Sequence, residues 1–330
     1  MRKLTNIQFL RAFAALNVVL FHILSTAHTY GYKPISLEFL AGWGACGVDL
    51  FFVISGFIMV YIQSVKERSP TEFIVERILR VCPTYWLLTG LIVLITIYFP
   101  SVLRTISYSK DWAIYSFAFL SDTALHKQPM LYLGWTLELE MFFYLLFSVS
   151  LISKSLNKSI LIVSALLILT IIFTSISDKF MLIEFIFGMM IAWEYVNKEV
   201  QINIAKSLFL LGFCLMLLSV WIHLENIHRV IRWGIPAALI VYGSVYLKQV
   251  NNKLFLSLGN ASYSIYLIQI FCIPVYFKLI SHYKVSANYS SLCALVGVVF
   301  SGLVGYLFYT LVERKLSDSL LFVKAKFNIK

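Results

Sequence analysis

Arg11 and His22 stand eleven residues apart in an otherwise apolar stretch. On a helix, eleven steps of ~100° return the second residue to within ~20° of the first, ~16 Å further along the axis. One helix face would therefore carry a guanidinium suited to phosphate and, above it, an imidazole that exchanges protons near neutral pH. The same pair also fits an arginine snorkelling to an interface and a histidine bonded to a neighbouring helix. These two residues alone leave both readings open.

Further polar groups sit in apolar surroundings. Asp49 opens the run Gly47-Val48-Asp49-Leu50-Phe51-Phe52-Val53-Ile54-Ser55-Gly56-Phe57, from which it can pair with His22 across adjacent antiparallel helices. Ser55 and Gly56 suit close helix packing before chemistry, with the Ser55 hydroxyl available to an oxyanion. Arg77 and Arg80 place two guanidinium forks one turn apart, a pattern that matches phosphate oxygens and also serves as ordinary interface anchoring. Glu138 and Glu140 are two residues apart, so on a helix they point ~200° from each other and cannot line one wall together. Glu184 and Glu313 complete the set of ionisable groups inside or at the ends of apolar stretches.

The elements that position these residues follow from composition. Of 330 residues, 60% are hydrophobic and 13% charged, against about 45–50% and 25% in soluble domains. The apolar runs are long and do not alternate, which excludes disorder and a transmembrane barrel. The expected fold is an all-α polytopic membrane protein. Ten spans are expected, near 6–27, 41–63, 81–99, 131–151, 160–176, 180–196, 207–222, 231–247, 256–280 and 290–312, in one domain over 1–330. With the N-terminus in the cytoplasm, inner segments hold 17 of the 27 Lys and Arg residues and outer segments 9. The positive-inside rule then orients the chain N-in, C-in.

This distribution also accounts for the net charge of +11 as juxtamembrane anchoring to lipid, without nucleic acid. Arg2 and Lys3 resemble the basic region of a signal peptide, but Arg11 interrupts the apolar run and nine more spans follow, so the first helix is read as retained. Five scattered cysteines without CxxC spacing read as packing residues, and six histidines without ligand spacing imply no metal. Residues 69–80 read as a short amphipathic cytoplasmic helix beginning at Ser69-Pro70. Residues 111–117 read as an interfacial or re-entrant segment too short to span.

Taken together, Arg11 and His22, the Gly47–Phe57 run, Arg77-x-x-Arg80-x-x-Pro83-x-Tyr85-Trp86, Trp135-Thr136-Leu137-x-x-Glu140 and Leu258-Gly259-Asn260-Ala261-Ser262-Tyr263-Ser264-Ile265-Tyr266-Leu267 resemble the acyltransferase-3 family of membrane acyltransferases. The likeness covers essentially the whole chain and is similar to the branch that acetylates exopolysaccharides such as succinoglycan. It implies an O-acetyltransferase of the bacterial cytoplasmic (inner) membrane, taking acetyl from cytoplasmic acetyl-CoA to a sugar or lipid-linked glycan. It makes Arg11 and His22 the essential pair, supported by Glu140, Asp49, Arg77 and Arg80. Three positions depart from the family pattern, the first two being Gln269, where a histidine is frequent, and Met141, where a second acid is frequent. Glu138 replaces a usual neutral residue.

The residues fit that chemistry. The polyanionic end of CoA would meet Arg77 and Arg80, joined by Arg11, while Ser55 or backbone N–H groups face the oxyanion. With an ordinary pKa of ~6.5, His22 is largely neutral at pH 7 and can take the proton of an attacking hydroxyl, oriented by Asp49 or Glu140. Direct transfer and an acyl-histidine intermediate are both drawable. The rival class is a transporter or flippase that uses the same buried groups as a coupling relay, although the two halves of the chain show no similarity to each other.

Overall fold

A computed structural model describes residues 4–102, 108–221 and 227–326. Arg2, Lys3, Arg104, His223 and Lys330 lie outside the described residues. Every regular element among the described residues is helical: α1 (Thr5–Thr29), α2 (Cys46–Val65), α3 (Pro70–Tyr98), α4 (Lys110–Phe117), α5 (Ser121–Leu125), α6 (Trp135–Ser150), α7 (Leu156–Phe173), α8 (Leu182–Asn197), α9 (Ile202–Trp221), α10 (Ile235–Tyr246), α11 (Lys253–Asn260), α12 (Ser262–His282), α13 (Ser290–Phe308) and α14 (Arg314–Lys326). Nine helical stretches among them are long and apolar enough to cross a membrane, and Val230–Tyr246 is a shorter apolar tenth.

The chain divides into two compact units. The first comprises Met1–Val65 and Ile183–Thr310, the second Lys66–Leu182 and Leu311–Lys330. In the first unit, α1 packs on α2, α10, α11, α12 and α13. Its start is bonded to the end of α10. Asn6 Nδ2 donates to the Ser244 carbonyl (2.9 Å), Asn6 N donates to Gln249 Oε1 (3.0 Å), and Val250 N donates to Asn6 Oδ1 (2.9 Å). These bonds satisfy backbone groups that the helix ends leave without intrahelical partners. Glycines set the closest approaches, as is common between membrane helices. A Cβ on Gly47 would strike the Ala14 carbonyl of α1, and one on Gly56 or Gly188 would strike the backbone of the facing helix in the α2–α8 pair. The Ser55-Gly56 step is thus packing at Gly56.

Two boundaries differ from those expected. The amphipathic helix over 69–80 and the span over 81–99 are one helix, α3, with Pro83 inside it. Ser69 and Glu72 form a capping box at its start, with Pro70 in the first turn. Its charges do not interrupt it, because Arg68 bonds Glu76 (2.8 Å) and Arg80 bonds Glu313 (3.2 Å). The span expected over 256–280 is divided at Ala261 into α11 and α12.

The segment expected to be interfacial is helical, Lys110–Phe117, and is held within the second unit by aromatic donors. Tyr85 Oη donates to the Ser116 carbonyl, Trp86 Nε1 to that of Phe117 and Trp112 Nε1 to that of Gln128, each at 2.9 Å. Glu138, buried in α6, accepts from the backbone N–H groups of Ser121 (2.9 Å) and Asp122 (3.0 Å) at the start of α5. Asp122 in turn accepts from Ser177 N and Oγ, each at 2.7 Å. Glu138 is therefore accounted for by the fold: it holds the 118–128 loop onto α6.

The glycine contacts give a stability test. Gly56→Ala places a Cβ on the Phe185 carbonyl, so overpacking of about 1–3 kcal/mol is expected. Gly90→Ala meets only Phe117 Cζ at 3.8 Å and gains up to about 1 kcal/mol of helix propensity. Thermal unfolding in detergent should show a lowered midpoint for the first and an unchanged or raised one for the second. Equal midpoints would remove the α2–α8 contact from the account.

Candidate active site

In the first unit, Arg11 and His22 are both half-buried on α1. Around Arg11, α11 lies against the helix: Phe9 packs on Phe255 at 4.4 Å between ring centroids, and Gly259 rests on the Gln8 backbone. Arg11 Nη1 reaches Gln8 Oε1 at 3.5 Å. The His22 ring meets Phe21 edge-on at 4.8 Å between ring centroids, and the His22 carbonyl accepts from Ser25 Oγ (3.1 Å).

Asp49 behaves differently from the expected partner of His22. Gly47 packs on α1, and Asp49, two residues later, projects ~200° round the helix from it. Its carboxylate is fully buried and accepts from Arg229 through both oxygens, at 3.2 Å from Nε and 2.8 Å from Nη2. Arg229 Nη2 also donates to the Ala45 carbonyl (2.9 Å), and its guanidinium lies 5.1 Å from the Trp233 ring centroid. Beside this pair lies Glu184 of α8, fully buried and seated against Gly234. Arg229 directly precedes the π-helical turn Val230–Gly234, a distortion frequent at functional sites. One of the two carboxylates considered for the imidazole thus holds an arginine, and the bond ties the Arg229 segment to α2.

Sequence reasoning counted Arg229 only as an outer charge. The available signal was that a carboxylate inside an apolar span requires a cation, and that arginine can supply a two-point fork.

In the second unit, Arg77 lies over the Phe73 ring, 5.8 Å from its centroid, and Phe73 meets Tyr144 edge-on at 6.4 Å. Tyr144 Oη donates to Glu140 Oε1 at 2.5 Å. Arg77 and the Glu140–Tyr144 pair therefore flank one phenylalanine, where α3 and α6 pack. The start of α3 is fixed there because Ser148 Oγ donates to the Pro70 carbonyl (2.7 Å). Arg77 keeps Glu76 at 3.9 Å, while its buried Nε has no hydrogen-bond partner among the described residues. Arg80 is more exposed and bonds the buried Glu313. Glu138 and Glu140 diverge as their spacing requires, one capping α5 and the other meeting Tyr144. Ser55 is buried, and Gln269 donates through Nε2 to the Tyr266 carbonyl at 2.7 Å. Among the described residues no group of three or more His, Cys, Asp and Glu side chains could hold a metal.

Comparison with known proteins adds to this geometry. The acyltransferase-3 family, described as an acyltransferase domain, matches residues 4–311. The exopolysaccharide production protein ExoZ of Rhizobium meliloti (strain 1021) is 33% identical over 294 residues, covering 83% of this chain and 89% of that protein. No solved structure matches.

The Asp49–Arg229 pair yields a double-mutant test. Asp49→Asn or Arg229→Gln alone breaks this two-point pair and takes it from the remaining member, with an expected cost of about 3–5 kcal/mol. The double variant should recover part of that loss, measured as unfolding midpoint and as yield of monodisperse protein. Purely additive losses would show that the two side chains do not act as a pair.

Proposed function

Because the chain belongs to the acyltransferase-3 family and is a membrane acyltransferase, we propose that it moves an acetyl group from cytoplasmic acetyl-CoA to a sugar hydroxyl of an exopolysaccharide or its lipid-linked precursor. The observation that carries this reading is the near-complete family match, together with the exopolysaccharide role named for ExoZ. It also favours transfer over the transporter reading. The proposed setting is the bacterial cytoplasmic membrane, with both termini inside, as the distribution of Lys and Arg supports.

In this mechanism His22 accepts the proton of the acceptor hydroxyl as its oxygen attacks the thioester carbonyl. The tetrahedral oxyanion collapses, the C–S bond breaks, and the imidazolium returns the proton to the departing CoA thiolate. The products are an acetyl ester and free CoA. Arg77 and Arg80 serve the phosphates of the donor, with Arg11 as the cation on the His22 face. Glu140, bonded to Tyr144, is a positioning residue near Arg77. Asp49 supports the site through Arg229, in contrast to the imidazole-orienting role that the sequence suggested.

Two measurements test the assignment. Membrane vesicles given labelled acetyl-CoA and purified envelope glycan should transfer label, and His22→Ala should abolish transfer while leaving expression and unfolding midpoint intact. Near-normal turnover of that variant would remove His22 from the chemistry. Arg77→Ala should raise the acetyl-CoA KM far more than it lowers saturated turnover, because contacts remote from the reacting carbonyl contribute mostly uniform binding. The parallel variant at Arg80 needs Glu313→Gln beside it, since Arg80→Ala alone removes an ion-pair partner of a buried carboxylate. An unchanged KM at both positions would relocate the donor phosphates.

A further inference from the structure

A cavity of about 560 Å³ runs along α6 within the second unit, faced by Ile74 and Ile78 of α3, the 118–128 loop and residues 176–178. From Trp135 to Leu145 the lining of α6 descends about 15 Å. Its character changes along the way. Glu138, one turn from Trp135, accepts from Asp122 N, and Asp122 accepts from Ser177 beside Asp178, so these three carboxylates border the end near Trp135; His126 and Gln128 also line the cavity. Met141, Phe142 and Leu145 continue the wall as hydrocarbon, and Ile78 and Leu145 are themselves exposed. In a bilayer, that apolar end opens toward lipid.

Charge narrows what such a cavity can hold. Three carboxylates line the polar end, and among the described residues no Lys or Arg lines the cavity. Glu138 and Asp122 are fixed there by the backbone and side-chain bonds that hold the loop. A phosphate entering this end would meet fixed negative charge with no facing cation, which disfavours CoA and anionic phospholipids alike. Carboxylate, amide and imidazole groups instead exchange hydrogen bonds with neutral hydroxyls. The Trp135 indole offers a flat face to the C–H side of a sugar ring.

We propose that this cavity binds an uncharged glycolipid, its sugar ring between Trp135, Gln128 and Asp178 and its hydrocarbon chain along Ile74, Ile78, Met141 and Leu145. This binding does not depend on the function proposed above.

The test uses the full chain in phosphatidylcholine nanodiscs, without acetyl-CoA, and a dodecyl maltoside bearing a diazirine on its chain. Photolabel should concentrate on peptides from residues 117–145. Unlabelled dodecyl maltoside should displace it at least about tenfold better than dodecyl phosphate, which has the same chain and a charged head. Gln128→Lys with Asp178→Asn changes two exposed side chains and leaves the Gln128 carbonyl that Trp112 uses. This variant should lose or invert the head-group preference while its unfolding midpoint is kept. Equal displacement by the two dodecyl compounds, label spread evenly over the helices, or unchanged preference in the double variant would each overturn the proposal. Head-selective labelling, paired with no transfer in the separate vesicle assay with labelled acetyl-CoA, would support this site and count against the acetyltransferase reading. Transfer with unselective labelling would do the reverse.

Discussion

An ionised side chain inside hydrocarbon must find a partner within the protein, and this requirement organises both units of the chain. Asp49 finds Arg229, a residue 180 positions away in sequence. Glu313 finds Arg80, and Glu138 finds the backbone N–H groups that open α5. Each of these bonds fixes a segment that apolar packing alone would leave able to slide, since one hydrocarbon face fits another in many registers. Arg229 draws the residues before α10 onto α2, and Glu138 draws the 118–128 loop onto α6. Helix packing supplies proximity, and the buried polar pairs select a register.

The spans were legible in the sequence because about 20 apolar residues are what a bilayer requires of a helix, and this chain has few charges to obscure them. That residues 111–117 form a short element of their own was legible for the converse reason: the segment is apolar but too short to span, and it is the helix Lys110–Phe117. What could not be read was which charge meets which. The Asp49–His22 pairing was a reasonable local inference from antiparallel neighbours, but it neglected helical phase. Gly47 occupies the face toward α1, so Asp49 must point elsewhere. The continuous α3 was missed because the polar stretch over 69–80 looked like an interface. Its charges are paired along and beside the helix, so nothing ends it before Tyr98.

Spacing was most reliable where it excluded an arrangement. Glu138 and Glu140 were required to diverge, and they do. One holds a loop, and the other bonds Tyr144 on its own helix. The Glu140–Tyr144 bond spans one helical turn, so it depends on α6 remaining helical and on little else. Arg77 lies over the same Phe73 ring that Tyr144 meets edge-on, with a buried Nε that has no hydrogen-bond partner among the described residues. The guanidinium is seated on an aromatic face, whose quadrupole attracts a cation. Arg80 is held differently, by the buried Glu313 carboxylate at 3.2 Å. Two arginines one turn apart on α3 are thus kept by two different interactions, a ring face and a carboxylate, and for that reason each needs its own variant in a test of phosphate binding.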